Sequence, residues 1–178
     1  MSNRQLFRDV VINGFSASVI TPRHLRWVLL RLYGARIGRA SVGARCFFGD
    51  SNISIGQSAY INYGVFFDGA SSIAIGNKVH VGMQVMILTS GHALGGSDCR
   101  AGDLKPSPVV IGDGCWIGAR AMILPGVNIG AGTIIASGSV VTSSCDPNSL
   151  YAGSPARKVK ALPEDIQKVS CVPDLEVS

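Results

Sequence analysis

Histidine is the side chain best suited to moving a proton near neutral pH, and the sequence holds three: His24, His80 and His92. His92 ends the run Leu88-Thr89-Ser90-Gly91-His92, at the point where a regular repeat breaks off into a long excursion. A histidine there is held by the scaffold on one side and open to a cleft on the other, which suits a general base. His80 precedes Val81 within the repeat and reads as an outward-facing structural residue, and His24 falls on an amphipathic helix. A metal site would need three ligands converging. His80 and His92 are twelve residues apart with no third histidine near, and Cys99 is the nearest further candidate, so no metal is expected. No G-x-S-x-G elbow is present for a serine hydrolase. Gly112-Asp113-Gly114 reads as a corner of the repeat and not as a phosphate-binding loop. The other concentration of chemistry is Ala156-Arg157-Lys158-Val159-Lys160, with three positive charges in five residues, a natural seat for an anion.

The element that positions these residues is a repeat with a period of six. Aliphatic residues recur at Ile111, Ile117, Ile123, Ile129, Ile135 and Val141, most followed by a small residue such as Gly112, Gly118, Gly130 or Ala136. A unit this small cannot bury its own apolar face and must stack on its neighbours. One strand and one turn per six residues give a three-sided parallel β-helix, three units to a circuit. Its hand does not follow from the period. An ordinary sandwich would alternate apolar and polar residues instead.

Earlier in the chain the same phase appears at Ile37, Val42 and Phe48, then at Ile55, Ile61 and Phe67, then at Ile75, Val81 and Ile87. The step from Phe67 to Ile75 is two residues too long, placing a bulge at residues 69–72. From Ile87 to Ile111 the spacing grows to 24, so residues 92–108 form an excursion. Long loops on rigid scaffolds often carry function.

The chain thus divides into an arm and capping helix (1–36), the coil (37–142) and an exit segment with a tail (143–178). Residues 1–18 show little periodicity and read as a lead-in. Thr21 and Pro22 read as N-cap and first position of a helix, with Leu25, Val28, Leu29 and Leu32 on its apolar face, Arg23, Arg26 and Arg31 on the other, and Gly34 as its stop. Its expected task is to cover the open end of the coil, because a bare end exposes unpaired backbone. A basic amphipathic helix can also lie on an anionic membrane, but one this short binds lipid weakly, so membrane contact is not expected. Pro163-Glu164-Asp165 reads as the start of a short terminal helix.

With 178 residues, 22 glycines and 7% aromatics, the composition fits one domain with tight corners and a narrow aliphatic interior. A net charge of +5 implies an acidic partner, and the scattered arginines without interleaved aromatics argue against nucleic acid. Five cysteines without a CxxC pair point to a reducing, cytoplasmic setting, and no apolar run reaches the length of a membrane span.

Five segments carry a resemblance: 88–92 (LTSGH), 111–118 (IGDGCWIG), 124–130 (LPGVNIG), 137–142 (SGSVVT) and 152–157 (AGSPAR). Together they resemble the hexapeptide acyltransferase family, most nearly its galactoside, maltose and nodulation-factor O-acetyltransferases and the acetyltransferases of bacterial glycan clusters. The resemblance implies a left-handed β-helix, a homotrimer with active sites between subunits, and acetyl transfer from acetyl-CoA to a sugar hydroxyl. It implies His92 as catalytic base and Asn62, Asp68 and Leu104 at the acceptor, although the phase slips at the bulge beside Asp68. On the coenzyme side it implies Trp116, Ala119, Ser137, Thr142, Arg157 and Lys160. The family's lysine after the threonine is Ser143 here, leaving one phosphate contact absent or supplied by Lys158. Two alternatives stand beside this one: N-acetylation of an aminosugar or antibiotic, and a non-catalytic coil serving as a scaffold.

Overall fold

A computed structural model describes residues 2–164. The expected terminal helix after Pro163, the tail and Cys171 lie outside the described residues.

The hexad phase becomes three parallel sheets wrapped around one aliphatic column. On face A the inward residues Ile37, Ile55, Ile75, Ile111 and Ile129 stand in register, and a bridge to Cys145 extends the stack. Face B stacks Val42, Ile61, Val81, Ile117, Ile135 and Tyr151. Face C stacks Phe48, Phe67, Ile87, Ile123 and Val141. Every one of these side chains is buried. Each aliphatic one contributes roughly 1.5 to 3 kcal/mol by leaving water, so a narrow core suffices once many circuits are stacked.

The corners are tight for two reasons. At Gly112 an added Cβ would sit 2.6 Å from the backbone nitrogen of Ala131 in the next circuit, so close approach and not an unusual φ demands glycine there. Between faces A and B, side chains also ladder the circuits: Gln57 accepts from the Arg39 N–H, Asn77 from the Gln57 N–H, and Asp113 from both the N–H and the amide of Asn77. Gly112-Asp113-Gly114 is therefore a corner, as its spacing implied.

The opening of the coil is covered by two helical segments. Residues read as a lead-in are helical: α1 (Asn3–Phe7) begins at a Ser2–Gln5 capping box and runs on as π-helical turns over Arg8–Ser16. The second helix, α2, spans Arg23–Tyr33 and ends at Gly34 in the left-handed region. Pro22, not Thr21, takes its N-cap position, because the Thr21 hydroxyl is spent on the Phe15 carbonyl. The inward face also differs from expectation. Leu30 and Arg26 are buried, whereas Leu32 is 73% exposed.

The burial of Arg26 has a specific cause. Along the coil, the N–H after each inward residue donates to the carbonyl of the inward residue one circuit on, as from Gly38 to Ile55, Gly43 to Ile61 and Gly49 to Phe67. The carbonyls of Ile37, Val42 and Phe48 have no preceding circuit to serve them. Arg31 Nε donates to Ile37 at 2.6 Å, Arg26 Nη1 to Val42 at 3.1 Å and Asn13 Nδ2 to Phe48 at 3.1 Å. Asn13 also accepts the Phe48 N–H, imitating a strand, and Arg26 further serves the Ser16 and Ser18 carbonyls. One polar side chain thus closes each of the three sheets.

At the other end the exit segment is a hairpin. Ser149–Gly153 joins face B in parallel, and Ala156–Ala161 folds back antiparallel along its edge. The excursion is likewise a hairpin, pairing His92–Leu94 with Ala101–Leu104. Among the described residues no helix is long and apolar enough to cross a membrane. Cys46, Cys115 and Cys145 are buried free thiols that fill the core, and burial pushes Cys46 and Cys145 up to about 11.

Candidate functional site

His92 opens the excursion hairpin, directly across from Leu104, with its ring exposed. Its Nδ1 lies 2.8 Å from the carbonyl oxygen of Gly102. A carbonyl can only accept, so Nδ1 is the donor in this contact, and Nε2 is the nitrogen free to accept whenever the ring is neutral. The second strand of the hairpin therefore sets both the tautomer and the direction of the ring. Gly102 gave no signal in the sequence, because its contribution is a backbone carbonyl that any residue owns.

The strand leading to His92 is tied down by Asp68. Its Oδ2 accepts from the Ser90 N–H and hydroxyl, each at 2.6 Å, and from the Thr89 N–H and hydroxyl at 3.0 and 3.1 Å. Burial alone would push this carboxyl up; the bonds from Ser90 and Thr89 outweigh it and hold Asp68 below its ordinary value. The resemblance placed Asp68 at the acceptor. The geometry gives it a different visible task, fixing the two residues that precede Gly91-His92.

Asn62 follows the face B strand Tyr60–Ile61 and turns its Oδ1 back onto the Tyr63 N–H, which leaves the amide NH2 as its donor group. On the same corner, Gly82 separates Asn62 from Ala119: Asn62 N–H donates to Val81, and a Cβ on Gly82 would lie 2.6 Å from the Ala119 nitrogen. The Ala119 carbonyl in turn accepts from Gly138, beside Ser137. Asn62, Ala119 and Ser137 thus line a single ridge between faces B and C, with small residues between them.

Trp116 stands outward on face B and is 58% exposed. Its register partners up the sheet are Ile134, then Leu150, then Lys160. At the spacing of adjacent strands this column carries Lys160 about 14 Å beyond Trp116. Arg157 lies on the same terminal strand, opposite Ala152, and both basic side chains are exposed. Lys158 is occupied, since its Nζ donates to Asp146 at 2.9 Å.

These residues do not converge within one chain. His92, Leu104, Asp68 and Thr142 belong to the corner that joins face C to face A, while Asn62, Trp116, Ala119, Ser137, Arg157 and Lys160 belong to face B and its corner with face C. The whole of face C lies between. Its outer surface is a ladder of Phe47, Phe66, Met86, Met122 and Val140, with Phe47 and Phe66 stacked at 4.8 Å. His80 stands outward on face B and stacks on Tyr60 at 6.0 Å, and His24 is exposed on α2. Among the described residues no group of three or more His, Cys, Asp and Glu side chains could hold a metal ion.

Comparison with known proteins gives a consistent set of likenesses. Residues 108–143 match the family described as bacterial transferase hexapeptide (six repeats). The chain is 33% identical over 112 residues to galactoside O-acetyltransferase of Escherichia coli, covering 63% of this chain and 55% of that protein. It spans little more than half the length of the curated relatives it matches. Among solved structures, a maltose O-acetyltransferase from Clostridium difficile 630 shares 32% identity with a TM-score of 0.80, over 90% of this chain and 87% of that one. A hexapeptide-repeat acetyltransferase of Vibrio cholerae, complexed with acetyl coenzyme A, shares 31% identity with a TM-score of 0.76, over 90% of this chain and 89% of that one. Stacked hexads, glycine corners and near full-length superposition on these structures lead to one conclusion: the chain belongs to the hexapeptide-repeat transferase family.

Proposed function

We propose that the protein transfers an acetyl group from acetyl-CoA to a hydroxyl of a sugar, glycoside or glycan, in the cytoplasm, as a homotrimer whose active sites lie between subunits. The observation that carries this reading is the Nδ1–H of His92 bound to the Gly102 carbonyl, which leaves Nε2 as a base. Nε2 takes the proton of the acceptor hydroxyl as its oxygen attacks the thioester carbonyl. The tetrahedral intermediate collapses, an ester forms, and the thiolate of coenzyme A leaves with a proton from the imidazolium. Backbone N–H groups at a coil corner stabilise the charge on the carbonyl oxygen.

Trp116 and the small residues Ala119 and Ser137 suit the narrow pantetheine arm, and Arg157 and Lys160 suit the phosphates at its far end. Two neighbours of known structure hold coenzyme A or acetyl-CoA, which supports that seat. Because the base and this coenzyme column occupy different corners, a complete site needs a second copy: the excursion of one chain set against the face B ridge of the next. The apolar ladder on face C is suited to being covered in that assembly.

Calorimetric titration with acetyl-CoA tests the donor without knowledge of the acceptor. Saturable binding of one molecule per chain is expected; no binding at millimolar coenzyme would remove the transferase reading. Transfer to a panel of sugars should then give a base-labile ester. A base-stable amide product would move the acceptor to an amine.

A further inference from the structure

The two helical segments that close the coil use only one of their sides. Ile12, Leu30, Arg26 and Asn13 face the first circuit, yet Leu6, Val10, Phe15, Val19, Ile20 and Leu32 are 52 to 87% exposed. No other stretch of the chain exposes so many large apolar side chains so closely spaced among the described residues. The segments run antiparallel, with Phe7 stacked on Tyr33 at 6.2 Å at one end and the 17–22 loop joining them at the other. Their outer sides therefore form a single surface at the opening of the coil.

Charge is concentrated at the same end. The first 45 residues contain eight arginines and one aspartate, while the rest of the chain carries eight lysines and arginines against ten acidic residues. Five of the eight are engaged within the chain: Arg26 and Arg31 on carbonyls of the first circuit, Arg23 on Ser41 and the Tyr60 ring, Arg8 on Asp9 and Arg4 on Asp50. The other three, Arg36, Arg39 and Arg45, are exposed. Arg31 and Arg36 line one open groove at the end of α2, and Arg45 is tied by its backbone to Ala17, just before the exposed Val19 and Ile20. Apolar side chains flanked by unpaired guanidinium groups match the two layers of an anionic bilayer surface, acyl chains below and phosphates above.

We propose that this end of the coil is a docking surface for an anionic lipid bilayer, with Leu6, Val10, Phe15, Val19 and Ile20 entering the interface and the exposed arginines meeting the headgroup phosphates. The sequence alone weighed capping against lipid contact for α2; the structure assigns capping to the inner side and leaves the outer side available for lipid. Docking stands the coil on the membrane and presents the site to acceptors carried on lipid. The docking itself stands apart from the transferase reading; only the presentation of the site to lipid-borne acceptors rests on it.

Co-sedimentation of the full chain with vesicles tests it. Phosphatidylcholine vesicles containing about 30% phosphatidylglycerol should pull the protein down, pure phosphatidylcholine should not, and raising the salt should release it. Ile20→Asp, at a fully surface position, and the pair Arg36→Gln with Arg39→Gln should each keep the melting temperature. The double variant should bind anionic vesicles more weakly by about five-fold for each arginine removed. Protein that stays in solution with anionic vesicles at low salt overturns the proposal. So does a change in oligomeric state on Ile20→Asp without vesicle binding by the parent, which would assign the surface to a second copy.

Discussion

Asp68 and Ser90 are joined twice, since one carboxylate oxygen accepts both the backbone N–H and the hydroxyl of Ser90 at 2.6 Å. They are 22 residues apart in sequence and one circuit apart in space, and the link fixes the strand that carries His92. Asp68→Ala should leave the coil folded while turnover falls by up to about 100-fold, the scale of a misplaced base. Acid should imitate the variant. The folded carboxyl sits below its unfolded value of about 3.9, so its contribution is complete above that pH and disappears as pH falls through the depressed value. Thermal midpoints of the parent and of Asp68→Ala, measured from pH 6 downward, should converge at the acid end.

The tautomer of His92 rests on a backbone carbonyl, so the informative substitutions are at both partners. His92→Ala should lower turnover by about 10² to 10⁴ with acetyl-CoA binding retained. A Cβ at Gly102 would lie 2.9 Å from the Ala93 carbonyl, forcing the hairpin strands apart. Gly102→Ala should therefore lower kcat and alter the pH profile while the melting temperature and coenzyme affinity hold. Normal kinetics in either variant would remove the assigned base.

The three charges near the C-terminal hairpin should not behave alike. Arg157→Ala and Lys160→Ala should each weaken acetyl-CoA by roughly tenfold, as expected for a lost charge-assisted contact. Lys158, already paired with Asp146, should give a much smaller change. Equal losses at all three, read by calorimetry at fixed salt, would point to a diffuse field and not to a seat.

Arg26→Lys is the sharpest test of the cap. A lysine cannot reach the Ser16, Val42 and Ser18 carbonyls together, and each acceptor left buried without a donor costs about 1 to 3 kcal/mol. Urea unfolding should report a loss of a few kcal/mol with the activity per folded molecule preserved.

The coil was legible in the sequence because its period is a physical requirement. The triplets Ile55-Ile61-Phe67 and Ile75-Val81-Ile87 appear in the structure as stacked circuits, and the gap before Ile111 appears as the excursion hairpin. His92 was visible because it sits where the period fails. Arg26 departs from the helix pattern, since arginine on an amphipathic helix ordinarily faces water; the unserved Val42 carbonyl of the first circuit, together with the Ser16 and Ser18 carbonyls, explains its burial. The Asp68 clamp was hidden by the two-residue slip at the bulge. The division of the site between two corners was hidden because spacing along a chain says nothing about which face a circuit presents.

A stack of near-identical circuits has an ambiguity of phase. Sliding one circuit past another by a whole turn would still place aliphatic residues inside and glycine at the corners, so the core alone cannot number its own layers. Asn13, Arg26 and Arg31 remove that freedom. Each recognises a carbonyl on a different sheet, and all three are satisfied together only when Ile37, Val42 and Phe48 form the first layer. The cap is in this sense the origin from which every later circuit, and the height of His92 above it, is counted.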